Sequence, residues 1–178
     1  MFETVKLGEN YLDLFAHLDP YNFLEYGKLK DRVCLGTVLK GEGKDMDKPV
    51  GLLICRLTGS ALVTEWIFVE GAYRMQGIGA QLMKCVFEEA KKRGIDKVYS
   101  YLALGNKRDK ICPGEVRLME EYNLKMLKPG KNTKGLYDEL VPGEFMGCYL
   151  YVADVESYFS KMQEKSETAD LYVLNEEM

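Results

Sequence analysis

Val69-Glu70-Gly71-Ala72-Tyr73-Arg74-Met75-Gln76-Gly77-Ile78-Gly79-Ala80-Gln81-Leu82-Met83 joins the most strand-like stretch of the chain to its most helix-like one. Upstream, 61–69 (Ala-Leu-Val-Thr-Glu-Trp-Ile-Phe-Val) is apolar except at Thr64 and Glu65, the pattern of a central strand buried on both faces. Downstream, Leu82, Val86, Phe87 and Ala90 share one helical face, charged residues hold the rest, and Gly94 stands where a C-terminal cap belongs. At such a junction the loop amides and those of the first helical turn point toward one spot, at the positive end of the helix dipole. Glycines at 77 and 79 remove side chains that would hold an oxygen ligand away, and they open backbone angles closed to other residues. A pyrophosphate meets that demand. A bare Gly-x-Gly is also satisfied by a tight turn with close helix–strand packing.

Outward from this unit, 2–7 reads as an opening strand. Leu12, Phe15, Ala16 and Leu18, then Phe23, Leu24 and Tyr26 beyond Pro20, read as two short helices. Segments 32–39 and 50–57 form a β-rich antiparallel pair around a polar turn at 40–49, and 96–104 is a further strand. A strand-glycine-helix-strand unit implies a parallel, right-handed crossover. A helix at 115–124, strands at 124–127 and 145–152 around a polar loop at 128–144, a short helix at 155–162 and a final strand at 171–174 complete the reading.

One domain fits 178 residues, and 47% hydrophobic with 29% charged residues lies in the range of chains that fold alone. A net charge of -4 argues against broad capture of nucleic acid or of an anionic membrane, although Arg74, Lys84, Lys91, Lys92 and Arg93 gather around the glycine stretch. Five scattered cysteines without a Cys-x-x-Cys pair read as reduced, cytoplasmic thiols. A single histidine, His17, gives a dedicated metal site little support. No apolar run has the length of a signal or of a membrane span, so neither secretion nor insertion is expected.

The stretch from Val69 to Met83 resembles the acyl-CoA signature of the GNAT superfamily of N-acetyltransferases, Arg/Gln-x-x-Gly-x-Gly/Ala. The likeness extends to the Tyr73-Arg74 pair, Ile78, the Leu82-Met83 position and the strand end at Val69, and the element order is similar from residue 2 to about 152. The resemblance implies an α/β (α+β) fold with a mixed, mostly antiparallel central sheet flanked by helices. It places the acyl-CoA-binding domain at 1–152, with 153–178 as a C-terminal helix-strand extension packed on it. It further implies acetyl-CoA as co-substrate and a small-molecule or peptide amine as acceptor, and it leaves a homodimer open. In the family, amides matching Gln76, Gly77, Gly79 and Ala80 hold the pyrophosphate, while backbone matching Phe68 and Val69 pairs with the pantetheine arm and the acyl carbonyl. Arg74 adds charge beside the phosphates, or is a surface cation. Met75 and Ile78 complete the loop, and Asn106 resembles a position that approaches the cofactor, though its spacing to the next helix is longer than usual.

Direct attack of an amine on a thioester needs a base for the ammonium and an acid for the thiolate. Glu65, the one carboxylate in an apolar strand, is the candidate base; desolvation would raise its pKa. Its parity matches Ile67 and Val69, roughly 13 Å from the thioester end at ~3.3 Å per residue, which implies a water relay. A solvated or lysine-paired glutamate is the competing reading. For the acid, the usual tyrosine position of the family is occupied by Met119, and Tyr122, one turn on, is either a substitute or a core aromatic. A noncatalytic acyl-CoA-binding module is therefore the alternative function. Other nucleotide-binding classes fail on the missing Gly-x-Gly-x-x-Gly and Gly-Lys-Ser/Thr runs. The acceptor would be shaped by 12–26 and 128–144, and the carboxylates Glu25, Glu42, Asp45 and Asp47 are compatible with a cationic amine.

Overall fold

The structure, a computed structural model, describes residues 1–24, 29–43, 45–101, 121–145 and 147–176. Strands β1 (Phe2–Lys6), β2 (Arg32–Leu39), β3 (Lys48–Thr58) and β4 (Ala61–Val69) form an antiparallel meander. Helix α1 (Ile78–Lys92) then crosses over to β5 (Lys97–Ser100), which pairs parallel with β4 as the crossover reading requires. After β6 (Lys125–Leu127) and α2 (Lys134–Leu140), β7 (Leu150–Asp154) enters between β5 and β6, and α3 (Val155–Glu176) follows. The sheet order is β1-β2-β3-β4-β5-β7-β6, mixed and mostly antiparallel.

Each face of the sheet carries its own core. On one side α1 lays down Ile78, Leu82, Met83, Val86, Phe87 and Ala90, packed with Leu53 and Val98 of the sheet and with Tyr158 of α3. Burial of each of the larger of these apolar side chains, Ile78, Leu82, Met83, Val86 and Phe87, contributes about 1.5–3 kcal/mol. Arg93 caps the helix and Gly94 follows at φ 68°, its amide donating to the Lys91 carbonyl as Ile95 donates to that of Ala90, so the glycine closes the last turn as expected. On the other side the segment 9–24 and α2 cover Cys34, Ile54, Val63 and Trp66.

Four expectations change. The first early helix is a 3-10 helix, Glu9–Leu18, because its buried residues Leu12, Phe15 and Leu18 repeat every three residues, the 3-10 period, while Ala16 faces out. In place of a second helix, 21–24 are turns held by the Asp19 carboxylate, which accepts the amides of Phe23 (3.0 Å) and Leu24 (2.8 Å); 25–28 lie outside the described residues. The polar loop at 128–144 contains α2, and of the expected strand at 145–152, residues 145 and 147–149 are not strand: Tyr137 donates its hydroxyl to the Leu127 carbonyl (2.7 Å) and accepts the Leu150 amide (2.9 Å), docking the short helix onto β6 and β7. Finally, the strand expected at 171–174 is a continuation of α3. Nothing from Val155 to Glu176 is glycine or proline, and side-chain pairs such as Gln163–Glu167 (3.1 Å) support the helix, so a four-residue apolar run follows its neighbours. Of the helix expected at 115–124, only its last residues are described, and 102–104 of the expected strand lie outside the described residues.

Candidate functional site

Between Val69 and α1 the chain makes a 3-10 turn, Gly71–Tyr73, and then two left-handed residues, Met75 (φ 63°) and Gly77 (φ 80°). Lys48 anchors the loop to β3, bonding Glu70 at 3.2 Å and lying over the Tyr73 ring. Left-handed backbone is strained for a residue with a Cβ, by about 1–2 kcal/mol, and Met75 bears this with its side chain 86% exposed. Gly77 is the N-cap of α1, and no capping side chain bonds to its amides. The first turn contains no acidic residue. Among the described residues, Gln81 is the first whose amide finds a carbonyl, that of Gly77 at 3.0 Å; the amides from Gln76 to Ala80 donate to none.

The glycines separate the two readings of this loop. At Gly51 on β3 an added Cβ would stand 2.9 Å from Ile78, so that glycine serves close helix–sheet packing. At Gly77 and Gly79 an added Cβ would meet nothing within 4 Å. Open space above unpaired amides suits an anion; it serves no packing. Arg74 folds back over the strand end, its Nε donating to the Val69 carbonyl at 2.9 Å and its guanidinium 5.4 Å from the Phe68 ring centre.

Strand β4 pairs with β5 only from Ala61–Lys97 to Thr64–Ser100, and beyond that pair no described strand covers this edge of β4. Among the described residues this edge of 66–69 is therefore open, and it leads as a wedge toward the loop. On the side of the sheet away from α1, the wedge is walled by aromatic rings: Trp66 and Phe68 of β4, stacked at 6.1 Å, Tyr21 edge-on to Trp66 at 5.2 Å, and Phe145 stacked on Phe23 and Tyr101 at 5.5 Å each. The Trp66 indole N–H donates to the Leu18 carbonyl.

Glu65 does not keep the parity assigned to it. The β3–β4 register passes from Ile54–Trp66 to Cys55–Thr64, so Glu65 is the extra residue of a β-bulge. It shares the face of Val63, Trp66 and Phe68, opposite to Ile67 and Val69. Nor is it a lone carboxylate: Arg56 Nε donates to its Oε1 at 2.8 Å and Arg32 Nε to its Oε2 at 3.3 Å. A carboxylate held by two guanidiniums matches the competing, paired reading, with arginines in place of the lysine. Tyr122 belongs to the α1 core, its ring 6.5 Å from that of Phe87 and 6.1 Å from that of Tyr158. Its hydroxyl is buried with no partner among the described residues, and burial drives its pKa well above the ordinary value. This packing is what the core reading expects of Tyr122. Asn106 and Met119 lie outside the described residues.

Sequence reasoning missed Arg32, Arg56 and Tyr101. The phenol of Tyr101 is fully buried; burial first, then the charge and side chain of the adjacent Glu65, push its pKa far up. No local pattern signals these partners, which stand 33, 9 and 36 residues from Glu65 in sequence. Among the described residues no three His, Cys, Asp or Glu side chains gather as metal ligands, and no helix is long and apolar enough to cross a membrane.

A family model described as "Acetyltransferase (GNAT) family" matches residues 6–110. Comparison with curated proteins finds no match. Among solved structures, an acetyltransferase of the GNAT family from Staphylococcus aureus Mu50 is similar at a TM-score of 0.64 and 14% identity, over 87% of this chain and 99% of that one. The ribosomal-protein-S18-alanine N-acetyltransferase from Escherichia coli is similar at 0.61 and 14%, over 87% and 94%. A GNAT family acetyltransferase from Elizabethkingia anophelis, solved with acetyl-CoA bound, is similar at 0.58 and 18%, over 86% and 97%. At these identities the likeness is one of fold.

Proposed function

The chain belongs to the acetyltransferase (GNAT) family, and on that premise we propose that it moves an acetyl group from acetyl-CoA to an amine by direct attack of the nitrogen on the thioester. The observation that carries this reading is the continuity of the wedge with the glycine loop: among the described residues, an edge of β4 that no strand covers runs into five backbone amides without partners. The amides from Gln76 to Ala80 would hold the pyrophosphate, with Arg74 adding charge. The backbone of Phe68 and Val69 would pair with the pantetheine arm and polarise the thioester carbonyl. As the C–N bond forms the C–S bond breaks, CoA leaves as the thiolate, and the amine gives up a proton.

Direct attack is favoured over an acyl-cysteine at Cys34, Cys55 or Cys85, because none of these three thiols suits a nucleophile. Burial pushes Cys34 up to about 12 and Cys55 higher still, and burial first, then the Glu88 charge, raises half-buried Cys85. We place the acceptor on the aromatic side of the wedge, where Tyr21 is 47% exposed and Phe68 and Phe145 are half-buried. Free cysteines at 34, 55, 85 and 148 are consistent with a reducing, cytoplasmic setting.

The test is a thermal shift with CoA followed by thiol release from acetyl-CoA across an amine library. At 100 times its dissociation constant CoA stabilises the fold by about 2.7 kcal/mol. No shift at millimolar CoA would overturn the cofactor assignment, and a shift without turnover on any amine would favour a binding module.

A further inference from the structure

Arg32 and Arg56 are direct neighbours across the β2–β3 ladder, and both reach the one carboxylate that the β3–β4 ladder skips. Glu65, 1% exposed, thus ties three adjacent strands together at the bulge. Arg56 extends the tie through its Nη2, which donates to the Leu140 carbonyl at the end of α2 (2.7 Å). The bulge lies directly beyond Thr64–Ser100, the last β4–β5 pair. The next residues across the seam are Glu65 and Tyr101, and the Tyr101 phenol sits against the carboxylate.

This placement gives the ion triad two geometric effects. By holding an extra residue in β4 it reverses the facing of all that follows, so that Trp66 and Phe68 line the aromatic wall while Ile67 and Val69 face α1. By pulling that residue toward β2 and β3 it marks where the β4–β5 pairing of the described residues ends. Ionic groups this deep are a poor choice if stability alone is at stake, since apolar residues of similar volume commonly serve as well or better; what buried ionic groups supply in some proteins is a single registry.

We propose that Glu65 is a positioning residue: with Arg32 and Arg56 it pins the β4 bulge, and so sets the point where the wedge opens and the direction in which the 66–69 backbone meets the thioester. The catalytic part of this inference rests on the acetyl-transfer reading given above, whereas the pinning itself is a statement about the fold.

Trp66, the chain's single tryptophan, follows the bulge directly and is buried with its N–H bonded, so its near-ultraviolet dichroism and fluorescence report the pinned geometry. The variants are Glu65→Gln and Arg56→Lys in the full chain, the second keeping both the carboxylate and the cation but losing the forked donor. In both, the Trp66 signal is expected to change, and turnover of acetyl-CoA with the best library amine to fall at least tenfold. The CoA dissociation constant, set at the glycine loop, should stay within threefold, and the pH–rate profile should keep its shape. Should Glu65→Gln not fold, Arg56→Lys carries the test alone. Wild-type turnover and an unchanged Trp66 signal in either variant would overturn the proposal. So would Glu65→Gln losing the acidic limb of the profile while Arg56→Lys runs at the wild-type rate, because that marks a base. If the wild-type protein itself ignores CoA, the acetyl-transfer reading fails, and the Trp66 signals of the two variants still decide the pinning.

Discussion

The Arg74 side chain closes back on the strand that precedes it, its Nε–H donating to the Val69 carbonyl at 2.9 Å. One guanidinium thereby braces the strand end and lies over the Phe68 ring, a few residues before the loop amides. Arg74→Ala should weaken CoA binding about tenfold, equivalent to about 1.4 kcal/mol. Arg74→Lys should recover only part, because an ammonium restores the charge without the forked geometry. Isothermal titration with CoA measures both; unchanged affinity in the alanine variant would reduce Arg74 to a surface cation.

The two loop glycines should fail differently when replaced by valine. Gly79 needs no special backbone angle and its Cβ meets no protein atom, so Gly79→Val should melt close to wild type and lose CoA binding through obstruction alone. Gly77→Val adds left-handed strain of about 1–2 kcal/mol, lowering Tm by about 2–8 °C as well as binding. A Gly79→Val protein that still bound CoA normally would remove the phosphate from this loop.

Tyr122→Phe should leave turnover unchanged. Its hydroxyl has no partner among the described residues, and an unpaired buried donor costs about 1–3 kcal/mol, so Tm should hold or rise. A fall in rate of a hundredfold or more at constant Tm would restore the acid role.

Tyr158 carries α3 onto α1 through a ring stack of 3.9 Å against Phe87. Tyr158→Ala should cost about 3 kcal/mol or more, by the measure of large aromatic truncations in cores, and lower Tm by about 6–12 °C. Chemical denaturation checks it; a loss under 1 kcal/mol would mean that α3 is a loosely held appendage.

What could be read from sequence was what neighbours in the chain decide. The β4-loop-α1 unit shows itself because a strand's apolar run, a glycine turn and a helical stripe from Leu82 to Ala90 succeed one another within thirty-odd residues. The bulge at Glu65 does not, since a skipped residue is a property of the ladder and depends on Cys55 and Ile54 opposite. The arginine partners of Glu65 were hidden for the same reason. Helix α2 was missed because its buried residues, Tyr137 and Leu140, are too few to show a period, and its docking runs through a tyrosine hydroxyl to strands on either side. The 171–174 run failed in the opposite way: a local β preference was overridden by a helix already in progress.

The insertion of β7 between β5 and β6 has a bearing on synthesis. Strands β1 to β4 are joined in chain order to their neighbours, so this meander can zip up as it leaves the ribosome, whereas β5 gains its second neighbour only when residues 150–154 arrive. One wall of the wedge thus waits for residues 150–154. A nascent chain stalled short of residue 150 should already protect the β2–β3 amides from hydrogen exchange and yet give no response to CoA, so that ligand competence is acquired only after β7 has been made.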